Sequence, residues 1–201
     1  NLAGTGTQTA QLSCGGQPNG SQVANTEEYD GTNWTNGGDL PVAKRSSASF
    51  GTQTAAVNAA GLSPTPGTFY NTSEEYDGSS WTSGGTVGTA RGSHSASGIL
   101  TAGLIFGGSN APGNPGRQNA TEEYDGTSFT AGSNLSTARS VLSGSPNGTQ
   151  TASYATAGIA APGFTAETEE YNGTSWSDGG DINTPREQAM GGGTLTAGLL
   201  S

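Results

Sequence analysis

Polar and aromatic positions alternate in a short pattern that returns four times along this chain. The pattern reads Thr or Ser, two glutamates, a tyrosine, Asp or Asn, a glycine, two small polar residues and then an aromatic residue. The tyrosines are Tyr29, Tyr76, Tyr124 and Tyr171, which are separated by 47, 48 and 47 residues. A constant period of about 20 to 50 residues is typical of solenoids and propellers. We therefore expect an array of similar units.

The pattern inside each unit predicts short strands and no helix. No stretch spaces its apolar residues for a helical face, whereas glycine, threonine and turn dipeptides are frequent. In the third unit, residues 101–106 predict an inner, buried strand and residues 121–125 predict a second strand. An Asp-Gly turn then leads into a third strand at 128–130, and residues 139–143 are expected to supply the remaining one. Three or four antiparallel strands would form one small sheet per unit.

The repeat frame divides the chain into four units and the start of a fifth. The approximate bounds are 6–50, 51–97, 98–147, 148–192 and a partial unit at 193–201. Because both ends break off inside the frame, we expect a segment of a longer chain or a processed product. The recurring side chains are the candidate structural residues of the array: Glu27, Glu28, Tyr29, Trp34, Arg45, Glu74, Glu75, Tyr76, Trp81, Arg91, Glu122, Glu123, Tyr124, Phe129, Arg139, Glu169, Glu170, Tyr171, Trp176 and Arg186.

Composition would by itself allow a flexible, low-complexity chain. Only 30% of the 201 residues are hydrophobic, and 35 are glycine. Disordered tracts have no reason to hold a tyrosine and a second aromatic at fixed offsets through four copies, whereas repeated sheets bury them at equivalent places. The period therefore favours a folded array.

Charge and sequence runs exclude several classes of partner. The net charge is −10 with one lysine and five arginines, so clustered cations for a nucleic-acid backbone are missing from the sequence. No run approaches the 18 apolar residues that a membrane helix needs. A single cysteine, Cys14, cannot form an internal disulfide or a multi-cysteine metal site. The sequence predicts neither a metal site nor a cofactor.

In the third unit the residues resemble the kelch family of β-propellers. An apolar strand ends at a glycine pair in 103–108, a tyrosine strand follows at 123–125, then Phe129, and then Thr-Ala-Arg at 137–139. The resemblance implies an all-β, kelch-like β-propeller of four repeats plus a partial fifth, with antiparallel blades of about 47 residues. Two departures are visible in this chain. The gap from tyrosine to aromatic is shorter than in most kelch repeats, and the glycine pair is degenerate in the second and fourth units.

The paired glutamates require a partner if the sheets stack face to face. An unpaired buried carboxylate is costly, and each unit supplies one arginine that suits a bidentate contact. We expect Arg45, Arg91, Arg139 and Arg186 to bind a repeat glutamate, within a blade or across the interface between blades.

A catalytic role is the less favoured interpretation of these carboxylates. Glycoside hydrolysis uses two carboxylates, but an active site is normally made once and these pairs recur in every unit. One histidine, His94, and one cysteine provide no Ser-His-Asp or Cys-His arrangement. We therefore predict that the chain is not an enzyme, although a sugar-acting propeller remains an open alternative.

Segments that differ between units are the better candidates for recognition. They lie at 17–24, 63–69, 109–118 and 160–166 and are rich in Pro, Gly, Asn and Ser. Insertions of this kind map to one face of a repeat array, which is often its binding face. By resemblance to arrays in marine bacteriophages, the leading expectation is a virion component such as a tail, fibre or decoration protein, located in the virion or on an extracellular surface. Expected partners are other virion or cell-surface proteins and glycans, and a homo-oligomer is a further expectation. The alternative function is an intracellular kelch adaptor that binds a protein partner.

Overall fold

The computed structural model describes residues 2–112 and 116–201, and these residues form four antiparallel four-stranded sheets followed by a hairpin. Sheet 1 contains β1 (Ala3–Thr7), β2 (Ala10–Cys14), β3 (Thr26–Tyr29) and β4 (Trp34–Asn36). Sheet 2 contains β5 (Ala48–Thr52), β6 (Ala55–Leu62), β7 (Phe69–Tyr76) and β8 (Trp81–Ser83). Sheet 3 contains β9 (Ser95–Ile99), β10 (Ala102–Phe106), β11 (Thr121–Tyr124) and β12 (Phe129–Ala131). Sheet 4 contains β13 (Ser143–Gly144), β14 (Ser153–Thr156), β15 (Thr168–Tyr171) and β16 (Trp176–Asp178). The hairpin is β17 (Gly191–Thr194) and β18 (Ala197–Leu200), and a short 3₁₀ turn lies at Pro18–Gly20.

The all-β class and the antiparallel sheets are confirmed, but the strands within a unit are ordered differently from the prediction. In sheet 3 the run near 101–106 is the second strand, because the Gly-x-x-Thr-Ala motif is a tight hairpin turn that joins it to β9. Gly98 has φ +108 and pairs with Gly103, a backbone geometry that favours glycine. The strand expected at 139–143 is the start of sheet 4. The first strand of three sheets and β17 of the hairpin begin before the approximate unit boundaries at 51, 98, 148 and 193.

Each junction between neighbouring sheets contains its own apolar core. Between sheets 1 and 2 the core includes Leu12, Leu40 and Tyr76, all at most 4% exposed. The other two junctions bury equivalent sets around Val87 and Leu135, each from the segment that links two sheets. Apolar side chains are therefore buried mainly between neighbouring sheets, as expected for an array in which each unit contacts its neighbours.

The first strands of successive sheets lie side by side in chain order, with β1 against β5, β5 against β9, β9 against β13 and β13 against β17. Residues from all five of these strands line one cavity of about 270 Å³. The structure thus shows repeated sheets whose first strands face a shared space. A closed propeller is not shown, and the number of blades stays a prediction.

Candidate functional site: sheet junctions and the loop surface

A buried ion pair lies at each of the three junctions between complete sheets. Arg139, in the linker before sheet 4, donates to Glu169 in β15 over 2.8 Å, and Arg91 pairs in the same way with Glu122 of sheet 3. Both arginines are 0% exposed, and burial lowers the pKa of each guanidinium while its glutamate partner opposes that effect. The cation also donates to backbone carbonyls, as in the bond of 2.8 Å from Arg139 to the carbonyl of Glu167. The linker therefore fixes the sheet that follows it.

The first junction uses Lys44, so the expectation for Arg45 was wrong. Lys44 is 0% exposed and pairs with Glu74 of β7. Counted from the tyrosine of its unit, Lys44 lies 15 residues on, as do Arg91 and Arg139, whereas Arg45 lies 16 on. The backbone of Arg45 instead forms an isolated bridge with Leu62, as Gly92 and Ser140 do with their own partners. The prediction was wrong because it chose the arginine of each unit as the cation and disregarded the neighbouring lysine.

The expectation for Arg186 also fails within the described residues, as does pairing of Glu27. Arg186 is exposed, its Nε donates to the carbonyl of Thr184, and no carboxylate pairs with it in the described part of the chain. Glu27 of sheet 1 is exposed, whereas the equivalent glutamates are at most 5% exposed. The physical reason is shared: each pair needs a linker and the sheet after it, and these two residues lie at opposite ends of the series.

In sheets 1 to 3 the second glutamate of the pair accepts a hydrogen bond from the tyrosine of the next sheet. Tyr171 donates its hydroxyl to Glu123 over 2.6 Å, and Tyr76 and Tyr124 donate to Glu28 and Glu75. Burial, reinforced by the neighbouring carboxylate, raises the pKa of Tyr76 and of Tyr124 to about 12. The two glutamates of one strand thus connect to opposite neighbours, as alternation of side chains along a strand requires.

The second aromatic of the motif closes the same junctions. Trp81 and Trp176 donate their indole N–H groups over 2.9 Å to Thr26 and Thr121 of the preceding sheet. Within its own sheet each aromatic packs on the tyrosine, with ring centroids 4.9 Å apart for Trp176. Trp34 is 47% exposed because no sheet precedes it in the described chain. The other three aromatics, Trp81, Phe129 and Trp176, pack between sheets, as the sequence predicted.

The Asp or Asn that follows each repeat tyrosine forms a turn. In the described part of the chain Asp30 accepts backbone N–H bonds from Thr32 and Asn33 over 2.8 and 2.7 Å, and these bonds lower the pKa of its carboxyl group. Asp77, Asp125 and Asn172 make the same turn. No group of three or more His, Cys, Asp and Glu side chains within the described residues is arranged to hold a metal ion.

His94 borders the space between the first strands. Its side chain lines the shared cavity, and the residue is 6% exposed. Burial, with smaller contributions from Arg91 and Lys44, lowers the pKa of His94 to about 3. The imidazole is therefore neutral near pH 7.

The variable segments all connect the second strand of a sheet to the third, so they leave every sheet at the same end. Two contacts join neighbouring segments: Gln22 donates to the carbonyl of Ser63 over 2.9 Å, and Arg117 donates to that of Ala160 over 2.8 Å. We call the described parts of 17–24, 63–69, 109–118 and 160–166 the loop surface; residues 113–115 lie outside the described residues. Phe164, 58% exposed, is its most exposed large apolar side chain.

Sequence reasoning missed two sets of residues that hold the junctions. Leu40, Val87 and Leu135 recur 47 and 48 residues apart in the linkers, and this period was visible in the sequence. Gln150 in a hairpin turn donates to the backbone carbonyls of Gly103 and Tyr124, both over 3.0 Å. The two bonds of Gln150 are seen only once one sheet is packed on the next.

No protein-family model matches this sequence, and no curated protein matches it. The resemblance to kelch repeats and the phage context therefore stay predictions. Among the described residues there is no helix of the length and apolar character needed to cross a membrane.

Proposed function

We propose that this chain is a non-enzymatic, kelch-like propeller scaffold that displays its loop surface for contact with a protein or a glycan. The proposal rests on the hydrogen bonds that join neighbouring variable segments of the loop surface, from Gln22 to Ser63 and from Arg117 to Ala160, at one end of the sheets. The repeated residues hold the scaffold, while the residues that differ between units lie together at one end of the sheets. This division is typical of repeat proteins that bind through their loops.

The use of the carboxylates supports a structural role for them. Glu74, Glu122 and Glu169 are paired with buried cations, and three of the second glutamates accept tyrosine hydroxyls. A general acid or a nucleophile in glycoside hydrolysis must instead face substrate. The setting that we propose is a tail, fibre or decoration protein of a bacteriophage virion, acting at an extracellular surface, because the repeat sequence resembles arrays of that kind.

A glycan array tests the display function. The labelled chain is applied to an array of bacterial surface polysaccharides and compared with two variants. Phe164→Ser alters the loop surface, whereas Thr32→Ala alters an exposed turn that joins the third and fourth strands at the other end of sheet 1. We expect binding that Phe164→Ser weakens and Thr32→Ala leaves unchanged. Absence of any glycan signal would count against glycan display, and release of sugar from the arrayed polysaccharides would contradict a non-enzymatic role.

Genomic position tests the virion setting separately. Neighbouring reading frames for capsid, tail or fibre proteins would support it. A frame that continues into an intracellular interaction domain would favour the adaptor function instead.

A further inference from the structure

The junction between sheets 1 and 2 departs from the repeat at two positions that adjoin one glutamate. Its buried cation is Lys44, where the other two internal junctions have Arg91 and Arg139. The residue paired across the strands with Glu74 is Asn58, whereas sheets 3 and 4 have an apolar residue in this place. The two departures together replace a guanidinium and an apolar side chain by an amine and a carboxamide.

These three side chains form one buried group. Lys44 and Asn58 are 0% exposed and Glu74 is 4% exposed. The Nζ atom of Lys44 donates to Oε2 of Glu74. Asn58 lies directly opposite Glu74 on the neighbouring strand, a pairing that places the two Cβ atoms about 4.5–5.5 Å apart. The amine and the carboxamide are therefore both within reach of the same carboxyl group.

The carboxamide of Asn58 is held by three side chains. Its Nδ2 donates to the hydroxyls of Ser47 and Ser49, over 3.0 Å each, and to the sulfur of Cys14 over 3.3 Å. Its Oδ1 is buried and has no hydrogen-bond partner among the described residues. A buried acceptor without a donor costs free energy, so an asparagine is less favourable here than the isoleucine or alanine of the later sheets.

The nucleophile that this group offers is the amine of Lys44, and the thiol of Cys14 is not one. Burial raises the pKa of Cys14 to about 11, and this effect exceeds the opposing ones of Ser49 and Lys44. The thiol is therefore protonated near neutral pH, and a protonated thiol is a poor nucleophile. A lysine can lose its proton and react, whereas the arginines of the other junctions cannot.

We propose that Lys44 and Asn58 join in an intramolecular isopeptide bond and that Glu74 transfers the protons. Glu74 takes a proton from Nζ, and the neutral amine attacks Cγ of Asn58. A bond forms between Nζ and Cγ, the bond between Cγ and Nδ2 breaks, and the departing nitrogen takes up a proton and leaves as ammonia. Nζ gives up two protons in all, of which one leaves with ammonia and the other stays on Glu74. The exchange involves no oxidation or reduction.

Burial and fixed geometry favour this reaction. Two reactants held in place by the fold react far more readily than the same groups free in water. The buried ion pair is costly in desolvation, and the reaction replaces it with a neutral amide and a neutral carboxylic acid. The product ties the linker before sheet 2 to the second strand of that sheet. A cross-link of this kind stabilises a fold by restricting the unfolded chain, as a disulfide does.

Mass spectrometry of the intact chain under denaturing conditions tests the bond. We expect a mass lower by one ammonia than the sequence requires. Trypsin cleaves after Arg45, so Lys44 and Asn58 fall in two different peptides, residues 1–45 and 46–91. We expect these two peptides as one branched species. Recovery of the full sequence mass, with the two peptides separate, would overturn the proposal.

Four variants assign the reacting groups. Lys44→Arg and Asn58→Ala restore the residue types of the junction before sheet 4, so both should fold, and neither should lose ammonia. Glu74→Gln should yield at least tenfold less cross-linked chain. Asn58→Asp should reach the same cross-linked product by losing water in place of ammonia. The matched control is Asn71→Ala, which removes an exposed asparagine of β7 and should lose ammonia as the unaltered chain does.

A succinimide at an Asn-Gly pair also releases ammonia, and Lys44→Arg separates the two reactions. A loss of ammonia that persists in Lys44→Arg would assign it to a succinimide and refute the isopeptide bond. Unchanged cross-linking in Glu74→Gln would refute the proton transfer by the glutamate. Tryptophan fluorescence of each variant, compared with that of the unaltered chain, shows that the variants are folded.

Discussion

The buried pair between Arg139 and Glu169 permits the sharpest test of how the sheets are joined. Arg139 is 0% exposed and Glu169 is 2% exposed, and their side chains are 2.8 Å apart. Arg139→Ala removes the cation and leaves the carboxylate buried with one remaining bond, from the N–H of Ser136 over 2.7 Å. Breaking a buried pair in this way costs about 3–5 kcal/mol of unfolding free energy. For a chain of this size that corresponds to a fall of roughly 6–20 °C in Tm.

The chain contains its own matched control, because Arg186 occupies the same position of the repeat without a carboxylate partner in the described chain. Arg186→Ala should change the free energy of unfolding by no more than about 0.5 kcal/mol. A double variant, Arg139→Met with Glu169→Leu, should recover most of the lost stability, since replacing both ions by apolar groups is often neutral. The measurements are urea unfolding followed by tryptophan fluorescence, with calorimetry for Tm. Equal losses for Arg139→Ala and Arg186→Ala would refute the assignment of stability to the ion pair.

Three further predictions follow from single contacts. Lys44→Ala should lower Tm by several degrees more than Arg45→Ala, because only the lysine compensates a buried glutamate; equal shifts in thermal scans would contradict this. Tyr171→Phe should cost about 1.5–3 kcal/mol in urea unfolding, the usual value of a hydrogen bond to a charged group, whereas Tyr29→Phe, which lacks an acceptor in the described chain, should be nearly neutral. For His94 the pKa is about 3 in the folded chain against an ordinary value of 6.5, so the unfolded state binds the extra proton between these values and stability falls as pH drops from 6.5 towards 3. His94→Asn should flatten this part of the pH profile relative to the unaltered chain, and parallel profiles would show that the histidine does not contribute.

The repeat explains why much of the architecture could be predicted. The period of 47 or 48 residues, the absence of helical spacing and the Asp-Gly turns together indicated antiparallel sheets, because these are local or periodic properties. The need of a buried carboxylate for a cation also followed from the sequence. The cation of the first unit could also have been predicted, because Lys44 lies 15 residues after its tyrosine, as Arg91 and Arg139 do, whereas Arg45 lies 16 residues after it.

Sequence by itself determined that the chain is a series of equivalent β units whose glutamates, tyrosines and aromatics take equivalent places, since such regularity is written in the order of residues. Only the tertiary structure decided which neighbour each side chain meets: the first glutamate contacts the linker before its own sheet, while the second contacts the tyrosine of the sheet after it. The reason is geometric. Adjacent side chains of a strand point to opposite faces, and only the stacking of the sheets specifies what lies against each face.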